Sequence, residues 1–311
     1  MFKKIKIITH NGTFHVDDIF AVATLKIFLR QKNRKIFLKP KIEIIRTRDL
    51  SLIRRGDYVV DFGGEYNPKK LRFDHHQKGG AGKRENGVVY SAFGLVWKEF
   101  GRKIYNSKNV VEEIDKRIVQ SVDAMDNGVD LLNLKNPELA PYLFYDVVAT
   151  YNFLSQKNGD KPMENFLKMV SWAEDILLRE IERTIIQEQQ KREILKIYNK
   201  AEDKRLIIFD KSYGDIAILE VLGEYPEPLF VIKPDTDRGN GWNMKTIKKN
   251  INTFEARVDL PLKWAGKRDE ELQKVTGVSD AVFCHNKRFI IVSKSKEGIL
   301  KLANLALESE R

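Results

Sequence analysis

The stretch KIKIITHNGTFHVDD, residues 4–18, decides how the first half of the chain is interpreted. Its opening residues, 4–9, are rich in isoleucine and predict a strand that ends at His10. Residues 17–30 carry apolar side chains at helical spacing and predict a helix. A buried strand followed by a helix after a short turn is the basic unit of a parallel sheet.

The same alternation continues outward from this stretch. Further strands are predicted at 42–47 and 57–61, and further helices at 88–100 and 110–122. The fold class is therefore α/β, with helices on both faces of a parallel sheet. Residues 131–160 are less periodic and contain Pro137 and Pro141.

A long polar run at 163–202 predicts a helix that connects two domains. After it, the apolar runs RLIIF, DIAILEV, LFVIK and FIIVS (the last at 289–293) predict strands, and 297–308 predicts a closing helix. We therefore expect an N-terminal domain at 1–160, a connecting helix at 161–203 and a smaller α/β domain at 204–311.

The chain carries a formal net charge of +11. This charge is consistent with a phosphate-rich partner such as RNA. It is equally consistent with a general bias of the proteome towards lysine on protein surfaces. Cys284 is the single cysteine, which excludes an intrachain disulfide and a cysteine zinc site. We expect a cytoplasmic protein, and no apolar run approaches the roughly 20 residues of a membrane helix.

Histidine is scarce, and four of the five histidines lie near aspartates in the first 130 residues. The clusters are His10 and His15 with Asp17 and Asp18; Asp74 with His75 and His76; Asp61 after the third strand; and Asp123 with Asp126. Ligands of an open α/β sheet bind at the carboxyl ends of its strands, where His10 and Asp61 are predicted to lie. Each residue alone has a simpler explanation, as a helix cap or a hydrogen-bonded structural histidine.

Imidazoles and carboxylates without thiolates suit Mn²⁺, Mg²⁺, Co²⁺ or Fe²⁺, with Zn²⁺ less favoured. Five or six such groups exceed one tetrahedral site and suit two ions about 4 Å apart. Two ions of this kind generate a hydroxide nucleophile and neutralise phosphoryl oxygens. The residues therefore predict a two-metal phosphoesterase.

Ordered motifs along nearly the whole chain resemble those of one family. THNGTFHVDD, VVDFGGEY, FDHHQ and VDAMDNG in the first half, and FEARVDLP, WAGKRDEEL and TGVSDAVFCH in the second, are similar to the melanocyte-proliferating-gene family of DHH-like phosphoesterases. The resemblance implies a two-domain DHH-type fold with its active site in the cleft between the domains. It also implies manganese and 3′–5′ exonuclease activity on RNA.

The resemblance assigns roles to individual residues. His10, His15 and Asp61 would hold one ion, and Asp17, Asp61, His75 and Asp126 the other, with Asp61 bridging. The tripeptide DNG is similar to the DTG of related enzymes, which favours Asp126 over Asp123. His76 would face the scissile phosphate, and Asp74 would orient a histidine. Many DHH enzymes have H-x3-D-x-D where this chain has H-x4-H-x-D, so His15 stands in the place of an aspartate.

In the second half, Arg257, Arg268 and His285 fall in the matching motifs and would bind substrate phosphates, although a surface salt bridge is the alternative for each arginine. The expected substrate is RNA or a short oligonucleotide, cut by metal-bound hydroxide. Two alternatives remain open at this point: a small-molecule phosphohydrolase acting on pyrophosphate, a dinucleotide or a nucleoside phosphate, and a non-catalytic RNA-binding protein with a vestigial metal site. The sequence leaves the oligomeric state open, with a homodimer as one option.

Overall fold

The computed structural model describes residues 4–32, 41–134, 136, 138–157, 162–236, 239, 241–250 and 253–309. The chain forms two compact units, Met1–Thr184 and Ile185–Arg311. The division lies inside one continuous helix, so the predicted connecting helix contributes to both units. The domain limits 1–160, 161–203 and 204–311 stay a prediction.

A five-stranded sheet organises the first unit. Its strands are β1 (Ile5–Thr9), β2 (Ile42–Arg46), β3 (Tyr58–Val60), β4 (Tyr66–Asn67) and β5 (Arg72–Phe73). They lie in the order β2-β1-β3-β5-β4, and only β4 runs antiparallel to its neighbour. Four parallel strands therefore end at one edge of the sheet. The α/β class, with a mostly parallel first sheet, is confirmed.

Helices complete the first unit. They are α1 (Val16–Lys32), α2 (Leu50–Arg54), α3 (Ala92–Ile104), α4 (Lys108–Ile114), α5 (Gln120–Asp126) and α6 (Phe144–Lys157), followed by α7 (Pro162–Lys200). Helix α1 is buried over nearly its whole length, which explains its almost uninterrupted apolar sequence. Its first turn nevertheless buries two carboxylates, Asp17 and Asp18.

Two predicted helix boundaries change in the structure. Helix α3 begins at Ala92 rather than at 88, with Ser91 in the N-cap position. The helix predicted at 110–122 runs from Lys108 to Asp126 and contains a π-helical stretch, Asp115–Val119. Helix α6 lies in a segment that the sequence left as irregular.

The second unit contains a mixed sheet. Its strands are β6 (Leu206–Ile208), β7 (Phe230–Asp235), β8 (Gly241–Thr246), β9 (Ala281–Cys284) and β10 (Ile290–Ser293), and its helices after α7 are α8 (Asp215–Leu222), α9 (Asp269–Thr276) and α10 (Lys296–Glu308). The strand order is β6-β7-β8-β10-β9, with a parallel β6–β7 pair and antiparallel pairs elsewhere.

The prediction of a strand at DIAILEV, residues 215–221, is wrong. This run lies in α8, which begins after Gly214 and ends at Leu222, before Gly223. Its buried residues Ile218 and Leu222 are four apart, a helical spacing, while Ile216 is 47% exposed. A short apolar run does not reveal its period, so only packing distinguishes helix from strand here. The strands β8 and β9 were not predicted. The sequence of β8 mixes polar and apolar residues, and β9 consists of only four residues, AVFC.

Helix α7 serves two cores. Phe166, Val170 and Leu177 are buried in its first half, and Ile194 and Tyr198 belong to a core cluster with α8 and β7 in the second unit. Within the described part of the chain, every helix is too short or too polar to cross a membrane.

Candidate metal centre

His10 follows β1 and is 4% exposed. Its Nδ1–H donates to the Asn11 carbonyl oxygen at 3.1 Å. This contact fixes the ring and leaves Nε2 as the atom with a free lone pair. Nε2 lies 3.3 Å from Asp18 Oδ2 and 3.2 Å from Asp61 Oδ2.

Asp61 follows β3 in a left-handed backbone conformation, with φ of 56°. This conformation costs roughly 1–2 kcal/mol in a residue with a side chain, and Gly63 and Gly64 continue the turn with positive φ. The turn sends the two oxygens of Asp61 to different histidines. Oδ2 faces His10, and Oδ1 lies 3.3 Å from His75 Nε2.

A second group of carboxylates surrounds His75, whose side chain is 8% exposed. Besides Asp61, its Nε2 faces Asp126 Oδ2 at 3.3 Å and Asp17 Oδ2 at 3.9 Å. The four residues predicted for the second ion therefore converge on one point. Asp61 contributes one oxygen to each of the two groups.

His15 completes the first predicted set. The ligand atoms of His10, His15 and Asp61 lie within 4.8 Å of one another, and the same holds for His15, Asp17 and Asp126 and for Asp61, His75 and His76. The His15 side chain is exposed, and its ring centroid is 5.5 Å from that of His10. Three overlapping groups of this kind fit two adjacent ions rather than one.

Several buried polar atoms of this cluster have no hydrogen-bond partner. They are His10 Nε2, both carboxylate oxygens of Asp17, Asp18 Oδ2, Asp61 Oδ1 and His75 Nε2. A buried polar atom without a partner typically costs about 1–3 kcal/mol, and more if it is charged. The imidazole nitrogens of His10 and His75 lie 3.2 to 3.9 Å from oxygens of Asp17, Asp18 and Asp61 without the geometry of hydrogen bonds, which is how ligand atoms around a cation are arranged.

The crowded carboxylates perturb one another. Burial, followed by the charge of Asp61, raises the pKa of Asp18 to about 7 and raises that of Asp17 well above its usual range. Burial and the nearby Asp61 also raise the pKa of Asp126. Burial opposes ionisation of Asp61 too, but contacts with His10 and His75 lower its pKa to about 2. A bound cation would relieve this repulsion.

Asp74, which follows β5, orients the pair of histidines after it. Its Oδ1 accepts hydrogen bonds from the backbone N–H of His75 and from His76 Nδ1, both at 2.8 Å. Its Oδ2 accepts from the Gly64 N–H at 2.5 Å. His76 has 62% of its side chain exposed, and the hydrogen bond to Asp74 raises its pKa. Because Nδ1 is held by Asp74, Nε2 is the nitrogen of His76 that is open to a ligand.

Asp123 and Asp126 lie on the same helix, α5, but in different surroundings. Asp123 is fully buried, and its oxygens accept from Ser91 Oγ at 2.6 Å, the Gly94 N–H at 2.9 Å and Arg84 at 2.7 Å. A Cβ atom at Gly94 would lie 1.9 Å from the Asp123 carboxylate. Asp123 is therefore occupied by protein donors, whereas Asp126 faces His75.

Comparison with known proteins places these motifs in a family. The MYG1_exonuc family model, described as Uncharacterised protein family (UPF0160), matches residues 6–307. This chain belongs to the MYG1 family. Mouse and human relatives named MYG1 exonuclease are 31% and 29% identical, over 96% of this chain and 84% and 85% of their own lengths. The MYG1 protein of Dictyostelium discoideum is 28% identical over 96% of this chain and 94% of its own.

The family resemblance predicted from the motifs is thus confirmed, and it covers both units. The roles of individual residues stay predictions, but their placement in this MYG1-family chain can be compared with the expectation. The first unit brings together all of the predicted metal ligands: His10, His15, Asp17, Asp61, His75 and Asp126.

Two residues near the centre were not among the predicted site residues. Asp18 serves twice, since its Oδ1 accepts from the His15 N–H at 3.0 Å and its Oδ2 faces His10. Arg48 lines a cavity of about 450 Å³ together with His10, Asp61 and His76. Arg48 follows β2, which is parallel to β1. The rule that ligands bind at the carboxyl ends of parallel strands would therefore have indicated Arg48 as well.

The three predicted substrate residues of the second unit do not line one common cavity. Arg257 donates to the carbonyls of Gly223, Tyr225 and Pro228. Its guanidinium therefore holds a loop of its own unit. Arg268 lies over the Phe283 ring, 4.5 Å from the centroid, and lines a cavity with Lys294. His285 lines a different cavity with Phe254 and Phe289.

Proposed function

We propose that the chain is a divalent-metal-dependent phosphodiesterase, and specifically a 3′–5′ exonuclease that acts on RNA with two Mn²⁺ ions. One observation carries the proposal: six polar atoms of histidine and aspartate, drawn from separate segments, are buried in one cluster without a hydrogen-bond partner. The name exonuclease, borne by the mammalian relatives, supports a nucleic-acid substrate.

The donor set fits the proposed ions. His10, His15 and Asp61 would hold one ion, and Asp17, Asp61, His75 and Asp126 the other, with Asp18 as a further candidate next to His10. Mixed nitrogen and oxygen donors favour Mn²⁺ over Zn²⁺ and leave Mg²⁺, Co²⁺ and Fe²⁺ as alternatives. When bound, two such ions lower the pKa of a shared water and neutralise the charge that develops on a phosphoryl group.

The chain's own residues would position the phosphodiester. Arg48 stands on the wall of the cavity with its guanidinium 5.1 Å from the Phe62 ring centroid, where it can donate to phosphate oxygens. His76 presents Nε2 to the same cavity because Asp74 holds Nδ1. Both side chains are cationic or partly cationic, so together they would bind the anionic substrate above the metal ligands.

The net charge of +11 favours a polymer over a small phosphate ester. The orientation of attack, from the 3′ end, rests on the family resemblance, as does an active site placed between two DHH-type domains. A cytoplasmic location also stays a prediction, and the oligomeric state stays open.

The test uses 5′-labelled single-stranded RNA of 20 nucleotides. The protein is first stripped with EDTA and then supplied with Mn²⁺, Mg²⁺, Co²⁺ or Zn²⁺. We expect no cleavage in EDTA and, with Mn²⁺, a ladder that shortens from the 3′ end. Asp61→Asn serves as the inactive control. Intact RNA in every metal would contradict the proposal, and release of phosphate from pyrophosphate under the same conditions would favour the small-molecule alternative.

A further inference from the structure

The second unit contains an aromatic slot that is distinct from the cavity lined by Arg268. We define the slot by three rings, Phe254, His285 and Phe289, above a floor formed by Ile218, Val231 and Ile247. Its volume is about 590 Å³. The floor residues Ile218, Val231 and Ile247 are buried and belong to the core cluster beneath α8. The slot therefore has a rigid apolar base.

The rings of the slot are unusually accessible. Phe254 is 95% exposed and Phe289 is 39% exposed. The His285 and Phe289 rings form a tilted pair with centroids 4.3 Å apart. His285 Nδ1 accepts from the Lys287 N–H at 3.0 Å, so Nε2 is the donor of the neutral ring. Exposed aromatic rings beside the N–H donor of His285 are better suited to contact a flat ligand with polar edges than to face water.

The charges around the slot are unbalanced in favour of cations. The two carboxylates at its rim are already paired. Asp215 accepts from Lys233 and Lys245 at 2.7 and 2.6 Å, and Asp259 accepts from Arg288 at 2.6 Å. Lys248 lies 4.7 Å from the Phe254 ring centroid, and Lys287 is exposed. Neither lysine forms a salt bridge within the part of the chain that the structure describes. The ligand that complements this rim is an anion.

We infer that the aromatic slot binds one nucleotide of single-stranded RNA. The base stacks on Phe254 and the His285–Phe289 pair, His285 Nε2 donates to a polar edge of the base, and Lys248 and Lys287 contact the flanking phosphates. Stacking is indifferent to sequence because every base has an aromatic face. This inference rests on the proposed RNA substrate and adds a subsite where the strand is gripped through a base rather than through a phosphate alone.

The experiment measures binding without cleavage. The full chain in EDTA is titrated against 5′-fluorescein-labelled rA10 at low salt, and fluorescence anisotropy gives the dissociation constant. We expect Phe254→Ala to weaken binding about tenfold, the usual effect of removing one stacking ring. Phe254→Trp should retain wild-type affinity. Because Phe254 is almost fully exposed, neither change should disturb the fold.

Lys248→Ala tests the charged rim. It should weaken binding a few-fold and make the dependence of log Kd on log salt shallower by about one contact. The matched controls are Phe153→Ala, which removes an exposed ring from the first unit, and Lys108→Ala, which removes an exposed charge there. Both should stay within about twofold of wild type, as surface changes away from a site normally do.

Inorganic polyphosphate separates base recognition from charge. Its affinity should fall with Lys248→Ala and stay unchanged with Phe254→Ala. If wild-type protein binds rA10 and Phe254→Ala binds equally well, the slot is not a base subsite. If Mn²⁺-dependent cleavage persists in that case, the proposed function survives while this inference fails. If wild type neither binds nor cleaves RNA, the proposed function fails first.

Discussion

Two sets of buried carboxylates in the first unit, one around Asp123 and one around Asp61 and Asp17, differ in their hydrogen-bond partners. Around Asp123, the oxygens accept from Ser91, Gly94 and Arg84. Around Asp61 and Asp17, oxygens are buried without a hydrogen-bond partner. Burial and negative charge are common to both clusters. The difference is whether the protein itself supplies the donors, and this separates a structural carboxylate from a candidate ligand.

The Arg84 network extends this contrast into the helix. Arg84 donates to Asp115 through two nitrogens, at 3.0 and 2.7 Å, and to Asp123 through a third. Asp115 opens the π-helical stretch that precedes α5. The network thus fixes the rotation of α5, and with it the direction in which Asp126 points. The hydrogen-bonded cluster around Asp123 therefore positions Asp126, which belongs to the cluster of predicted metal ligands.

The largest expected effect is on stability. Asp123→Ala would leave Arg84, Ser91 and Gly94 without an acceptor, and breaking such a buried pair costs about 3–5 kcal/mol of unfolding free energy. Urea denaturation in EDTA measures this loss. Asp126→Ala is the matched control on the same helix, and in metal-free protein it should cost much less because it removes a repelled carboxylate. Equal losses would break the contrast between the two clusters.

The next effect is on activity. Asp61→Asn keeps the size of the side chain, and asparagine tolerates the left-handed backbone of this position. The substitution removes the negative charge that Asp61 supplies to both predicted ligand groups. Residues that only hydrogen-bond to a metal ligand typically contribute 10–100-fold to activity. We therefore expect the rate of RNA cleavage with Mn²⁺ to fall by more than about a hundredfold. Circular dichroism checks that the fold is retained. A wild-type rate would exclude Asp61 as a ligand.

Metal binding should itself stabilise the unsatisfied cluster. At a Mn²⁺ concentration of about 100 times Kd, one site adds about 2.7 kcal/mol to the unfolding free energy. Thermal unfolding with and without Mn²⁺ measures the shift in Tm. Asp61→Asn should abolish most of this shift, while Lys108→Ala should leave it intact. A shift of the same size in Asp61→Asn would place the ion elsewhere.

Substrate affinity gives a smaller effect. Arg48→Ala should raise KM for RNA about tenfold, the loss of one charge-assisted contact to phosphate. Arg48→Lys keeps the charge but loses the bidentate geometry of the guanidinium, so its KM for RNA should lie between those of wild type and Arg48→Ala. Mn²⁺-induced stabilisation is the control, because Arg48 is not a proposed ligand and the shift should stay unchanged. An unaltered KM in Arg48→Ala would remove Arg48 from the substrate contacts.

The smallest effect is on pH dependence. Because the pKa of Asp18 is raised to about 7 in the folded chain, the folded state binds more protons than the unfolded state above pH 4. Without metal, this group's contribution to stability is therefore lost as pH rises towards 7. The ions require deprotonated carboxylates, so the Mn²⁺-induced Tm shift should grow from pH 5.5 to pH 7.5. Asp18→Asn should flatten this growth, and a shift that shrinks with pH would contradict the assignment.

The sequence by itself determined the alternation of strand and helix around His10, the histidine–aspartate clusters and the family. These features are local or ordered along the chain, since a strand or helix shows in the spacing of neighbouring side chains. The same reasoning failed at residues 215–221, where a short apolar run fits either period. Packing beneath α8, which depends on distant residues, decided that segment.

Only the tertiary structure decided which carboxylates are satisfied. Asp123 and Asp126 are three residues apart in one motif, and the resemblance of DNG to DTG favoured Asp126 without showing which donors occupy Asp123. Arg84 and Ser91, more than 30 residues away in the chain, supply the donors for Asp123. Arg48 likewise reaches the metal cavity because β2 lies beside β1. Partners of a buried charge come from strand order and helix packing, and these are set by the burial of side chains from the whole unit.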